Sequence, residues 1–150
     1  METVEIRFKR LKGCRDIPLP KYETVGSSGM DLRASISGPI LLNPGEIKLI
    51  PTGLIVSIPP GYEGQVRPRS GLALKHGIGL VNAPGTIDSD YRGEIRIIMI
   101  NWGKSQFIIR RGDRIAQMVI CRVARADIKL VDNLDSTVRG AGGFGHSGIF

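Results

Sequence analysis

The sequence predicts an all-β domain, a sandwich or barrel of short strands. Turn signals recur at the roughly 8–12-residue spacing typical of such folds. They are clearest in ILLNPGEIKLIPTGLIVSIPPGYEG (40–64), where Asn-Pro-Gly, Pro-Thr-Gly and Pro-Pro-Gly separate three apolar runs. Glycine (20) and proline (9) are plentiful while aromatic residues make up only 5%, so many turns and an aliphatic core are expected. A single stretch, SGLALKHG (70–77), carries helix signals, with Ser70 placed to cap the start and Gly77 where a left-handed C′ glycine belongs.

In chain order, Val4, Ile6 and Phe8 alternate with Glu5 and Arg7, the period of a half-buried strand. GSSGMDLRAS (26–35) reads as a turn-rich stretch, and the three runs of 40–64 follow as strands. After the helix, NAPGTIDSDYRGEI (82–95) reads as a hairpin flanked by Gly85 and Gly93. EIRIIMINW (94–102) is apolar on both faces, with Ile95, Ile97 and Met99 on one side and Ile98 and Ile100 on the other. Such a strand needs two apolar partners, the domain core and, by expectation, a second subunit. QFIIR (106–110) and RIAQMVICRV (114–123) complete the set.

A chain of 150 residues is long enough for one domain with a real core, and no repeat or linker divides it. There is no apolar run near the ~18 residues of a membrane span. METVEIRFKRLKGCR has charges throughout and no apolar h-region, so no secretory signal is expected at the start. Cys14 and Cys121 make no metal-type spacing and are expected to be reduced thiols in a cytoplasmic protein. The net charge of +7 suits a phosphate-bearing partner. Only KRLKGCR (9–15) and IRRGDR (109–114) are locally dense, which leaves nucleic acid and a small phosphorylated metabolite both open.

Four stretches carry chemistry. RGAGGFGHSG (139–148) is half glycine yet places one arginine and one unshielded phenylalanine. Ordering it costs about 1–2 kcal/mol per residue, so several simultaneous contacts, Arg139 to phosphate and Phe144 to a flat group among them, are needed to hold it. It reads either as a ligand-ordered lid or as a plain terminus. In RPRSGLALKHG (67–77), Arg69, Ser70 and Gly71 stand where a phosphate or a simple cap is satisfied. In the hairpin, Asp88 and Asp90 are either turn-forming acids or a general base, and Tyr91 packs on a sugar or on the rim. RRGDRIAQMVI (110–120) offers Arg111, Arg114 and an odd strand glutamine, Gln117, to phosphates, while Asp113 is expected to pair with a neighbouring arginine. His76 and His146 read as hydrogen-bonding or surface side chains.

Taken in order, GSSGMDLRA, PRSGLALKHG, NAPGTIDSDYRGEI, RGDRIAQMVI and RGAGGFGHSG resemble the five motifs of the trimeric dUTPase family, the deoxyuridine triphosphate nucleotidohydrolases, across residues 26–148. The resemblance implies a jelly-roll-like β barrel of the β-clip type with one short helix. It implies a homotrimer with a swapped C-terminal arm and three shared sites: residues 1–138 form the barrel and 139–150 a lid. The implied reaction is hydrolysis of dUTP to dUMP and pyrophosphate, with Asp88 activating the water that attacks the α-phosphorus. Uracil would occupy the 82–96 hairpin, with Asn82 at its mouth, Thr86, Ile87 and Asp88 lining it and Arg96 near its far end. Tyr91 would lie under the deoxyribose and exclude a 2′-hydroxyl. Arg69, Ser70, Gly71 and Gln117 would hold phosphates. Asp31 would sit near Mg²⁺ through water, the ion being held mainly by substrate phosphates. Arg139, Phe144, Gly145 and Ser147 would close over the bound nucleotide. Met30 stands where the family more often has an aromatic, and GHSG departs slightly from the commoner tail ending.

Two other readings share some of these features. A dCTP deaminase has the same fold but relies on a glutamate base and an Arg-Ser-Ser motif. A non-catalytic nucleic-acid or regulatory binder would use the basic surface alone. TIDSDY and the Phe-Gly tail favour the hydrolase.

Overall fold

The computed structural model describes residues 3–146 and 148 and contains, among them, ten strands and one short helix. The strands are β1 (Arg7–Arg10), β2 (Met30–Arg33), β3 (Ile40–Leu42), β4 (Ile47–Ser57), β5 (Tyr62–Arg67), β6 (Ile78–Leu80), β7 (Gly85–Ile87), β8 (Glu94–Asn101), β9 (Phe107–Ile109) and β10 (Arg114–Arg122). The helix, α1, spans Ser70–His76. One four-stranded sheet runs β1-β4-β8-β6, a second runs β2-β10-β5-β7, and β3 with β9 makes a two-stranded ribbon. Every pairing is antiparallel. A single aliphatic core joins all three sheets, from Leu32 and Met118 through Ile50, Leu54 and Ile97 to Leu42 and Ile109. No described helix is long and apolar enough to cross a membrane.

Several local expectations change. The first strand begins at Arg7, and Ile6 packs on the core just ahead of it. Met30–Arg33, inside the stretch read as turns, is a strand alternating buried and half-buried residues. Pro-Thr-Gly (51–53) is no turn: β4 runs through it as a bulge, the register shifting between Pro51↔Arg96 and Ile55↔Glu94. Thr52, fully buried, repairs the gap by donating its hydroxyl to Ile95 O at 2.7 Å and accepting Leu54 N–H. Gly53 takes φ +68°, and a Cβ there would lie 2.5 Å from Cys14 Sγ, so the bulge requires glycine. Arg69, not Ser70, occupies the helix N-cap, without a side-chain cap bond; Gly77 closes the helix at φ 67° as expected.

The 82–95 hairpin is also not a paired one. β7 joins β5 and β8 joins β4 and β6, so its two arms enter different sheets and a cleft opens between them. In β8, Ile95, Ile97 and Met99 are buried, whereas Ile98 and Ile100 are half-buried beside Leu49 and Ile47, each about half exposed. The only tryptophan, Trp102, follows in the same alternation, 66% exposed, with its ring lying on Gly79 so closely that no Cβ fits there.

Candidate active site

The second sheet assembles one half of the site by register. Gln117 on β10 faces Asp31 on β2 and Arg67 on β5. Asp31 Oδ1 lies 2.9 Å from Arg69 Nε and Oδ2 lies 3.2 Å from Arg114 Nη1. Arg69 also donates to Arg114 O at 3.2 Å, so one half-buried carboxylate holds two guanidiniums together at the start of α1. Gln117 donates Nε2–H to Pro68 O at 2.9 Å, and Gly29 leaves room for it: a Cβ at residue 29 would lie 2.5 Å from Gln117 Oε1. The strand glutamine amide expected to need partners is half-buried and has one in the approach to the helix. Ser70 and Gly71 are exposed beside this cluster.

The other half is the cleft between β7 and β8, about 500 Å³, lined by Asn82, Thr86, Ile87, Tyr91 and Arg96 among others. Asn82 reaches over Gly85, where a Cβ would lie 3.0 Å from its Nδ2. Tyr91 donates its hydroxyl to Glu94 O at 3.0 Å, its ring lying across Gly93 where no Cβ fits. Asp88, exposed, follows the last residue of β7 and opens onto a neighbouring cleft with Tyr62, Glu63 and Asp90.

Asp88 and the phosphate-type cluster are apart within one chain. The β5–β7 register puts Asp88 level with Glu63, which pairs with Cys121, whereas Gln117 lies four residues back along β10. That offset is about 13 Å at the rise of a strand, further than one water bridges.

The 110–114 turn behaves differently from its sequence reading. Arg111 is not free for phosphate. Its guanidinium grips both Asp16 oxygens at 2.7 Å and donates to Gly13 O and Ile36 O. The carboxyl of Asp16 is held below its ordinary range chiefly by that hydrogen bonding, and Arg111 is raised in turn. Among the described residues Asp113 pairs with no arginine side chain; it accepts Arg110 N–H at 2.8 Å and closes the turn. His76 packs against Phe107 with the rings tilted at 51° and their centroids 5.1 Å apart, and Cys14 and Cys121 are both free thiols.

In the tail, Arg139, Phe144 and Gly145 are described and Ser147 lies outside the described residues. Arg139 donates to Gly142 O at 2.7 Å, and the backbone bonds from 140 to 148 are local turns. Phe144 is fully exposed at φ 50°.

A family model described as dUTPase matches residues 15–148. The chain belongs to the dUTPase family. The deoxyuridine 5'-triphosphate nucleotidohydrolase of Caldanaerobacter subterraneus subsp. tengcongensis is 53% identical over 147 residues, covering 98% of this chain and 99% of its own. That of Caulobacter vibrioides is 57% identical over 146 residues, covering 96% and 94%. Among solved structures, the Staphylococcus bacteriophage 80alpha dUTPase with dUPNHPP superposes with a TM-score of 0.88 at 27% identity, covering 98% of this chain and all of that one. The dUTPase fold and the arrangement of strands are thus shared with a nucleotide-bound relative.

Glu94 was not singled out from the sequence. It lies in a quoted motif, but its partners come from the β4 bulge, which only the register reveals.

Proposed function

We propose that Asp88 of one copy of the chain and the Asp31–Arg69–Arg114–Gln117 cluster of another act on one dUTP. The reaction is that of the family: dUTP is hydrolysed to dUMP and pyrophosphate. Asp88 takes a proton from water, the water oxygen bonds the α-phosphorus, and the α–β bridging P–O bond breaks to release pyrophosphate. Arg69, Ser70, Gly71 and Gln117 hold the phosphates, and their positive field offsets charge developing on the leaving group. The nucleoside lies in the cleft of Asn82, Thr86, Ile87, Tyr91 and Arg96, with Tyr91 against the sugar.

The observation that carries the shared-site reading is the roughly 13 Å offset along the sheet between Asp88 and Gln117. The half-exposed row Ile47, Leu49, Ile98 and Ile100 supports a face covered by another copy. Beyond β10, Ile128, Leu130, Leu134 and Val138 stand almost fully exposed, apolar side chains without a surface of their own to lie on. These features support a homotrimer in which 1–138 form the barrel and the 139–150 arm crosses to a neighbour, placing Arg139, Phe144, Gly145 and Ser147 over the nucleotide.

The described residues contain no group of three His, Cys, Asp or Glu side chains suited to a metal, and both Asp31 oxygens face arginines. This donor set fits an Mg²⁺ ion that rests on the substrate phosphates and water, with Asp31 as its outer partner. Bound there, the ion would neutralise phosphate charge. Pyrophosphate release measured over a panel of nucleoside triphosphates, with and without Mg²⁺, tests the whole reading: dUTP with Mg²⁺ should stand far above every other combination. Ammonia release from dCTP would point to the deaminase instead.

A further inference from the structure

We infer that Glu94 is a positioning residue that sets both Tyr91 and Arg96 in the nucleoside cleft; the inference rests on the assignment of that cleft given above. Three contacts meet at this residue. Its backbone carbonyl accepts the Tyr91 hydroxyl at 3.0 Å, its Oε2 lies 3.0 Å from Arg96 Nε, and its Oε1 accepts Gly53 N–H at 2.9 Å.

The third contact gives direction to the other two. The β4 bulge advances four residues while β8 advances two, so the N–H of Gly53 has no ladder partner and the Glu94 carboxylate takes it. That anchor is stiff. Gly53 is boxed in by Cys14 and Ser35, and its carbonyl accepts Leu11 N–H at 2.8 Å. The Glu94 side chain is 13% exposed against 55% for Arg96. The buried, backbone-anchored member of an ion pair determines where the long exposed member lies, since little freedom remains to it. Arg96 is therefore aimed by Glu94, and Tyr91 by the strand that Glu94 pins. Tyr91, Gly93, Glu94 and Arg96 form one continuous wall of the cleft.

Glu94→Gln separates positioning from plain structure. The amide oxygen still accepts Gly53 N–H, so thermal stability should stay near that of the unaltered enzyme, while the Arg96 pair is lost. Pyrophosphate release with dUTP and with UTP should then show KM for dUTP raised about 5- to 10-fold, the size of one ordinary hydrogen bond from a misplaced Arg96. The preference for dUTP over UTP, which Tyr91 sets, should hold because the amide keeps the Gly53 anchor and the backbone carbonyl that Tyr91 uses, and kcat should change far less. Glu94→Ala, which loses the Gly53 anchor, should lower the melting temperature and also narrow that preference. Tyr91→Ala, measured alongside, tests the cleft itself. If it leaves the dUTP:UTP ratio unchanged, the cleft assignment is wrong and the inference falls with it. If Tyr91→Ala narrows the ratio while Glu94→Gln leaves KM unaltered and Glu94→Ala leaves the ratio unaltered, the role of Glu94 alone is overturned.

Discussion

Arg111 and Asp16 form a two-pronged ion pair, with Nε and Nη2 each 2.7 Å from a carboxylate oxygen, and so tie the turn before β10 to the N-terminal loop. The hydrogen bonds hold the Asp16 carboxyl below its ordinary range. Folded Asp16 thus binds its proton later than unfolded Asp16 on the way to acid. Its stabilisation is complete above the ordinary aspartate value near pH ~4 and fades as pH falls through the lower folded value. Asp16→Asn should lower the melting temperature slightly at neutral pH, with the difference disappearing at the acid end. The pair is exposed, so added salt should shrink the difference too. Melting curves of both proteins across pH check this.

Asp88→Asn should cut turnover about 10²- to 10⁴-fold, the usual range for a lost general base, while dUTP binding persists. Single-turnover pyrophosphate release beside a binding isotherm separates the two, and undiminished turnover would remove Asp88 as the base.

Gly29→Ala aims a methyl at the flexible end of Gln117 rather than at backbone. The fold should survive, with Gln117 pushed from Pro68 O. KM for dUTP should rise about 2- to 10-fold, one hydrogen bond's worth, with an unchanged circular dichroism spectrum.

Gly53→Ala is the contrasting glycine. Its positive φ and the Cys14 and Ser35 atoms within 3 Å of a would-be Cβ leave nothing soft to move. A loss of about 1–3 kcal/mol is expected from such backbone strain, measured by urea unfolding.

Deleting residues 139–150 should leave a folded, assembled protein with little activity, because the described part of that arm makes only local turns in its own chain. Sedimentation and pyrophosphate release together test this; full activity would discard the lid.

What could be read from the sequence was whatever local chemistry dictates. Gly77 announced the end of α1, the alternation of β8 announced its buried face, and the motif order announced the family. What could not be read depended on partners distant in the chain. Pro51-Thr52-Gly53 carries the composition of a turn, but Thr52 and Glu94 satisfy it as a bulge from inside β4 and from β8. Arg111 looked like a phosphate ligand because nothing nearby in sequence predicts Asp16, 95 residues away. Ser70 looked like a cap because capping residues are recognised by type, whereas the backbone begins the helix one residue earlier than that reading requires. The separation of Asp88 from Gln117 is a matter of register, which composition does not encode.

Trp102 gives the molecule a built-in optical gauge. A lone indole resting on bare glycine backbone, two-thirds open to solvent, is expected to emit at long wavelength. It stands at the end of the row begun by Ile98 and Ile100, so docking of another copy there would shift its emission to the blue. A simple dilution series in a fluorimeter would therefore reveal such docking without any label.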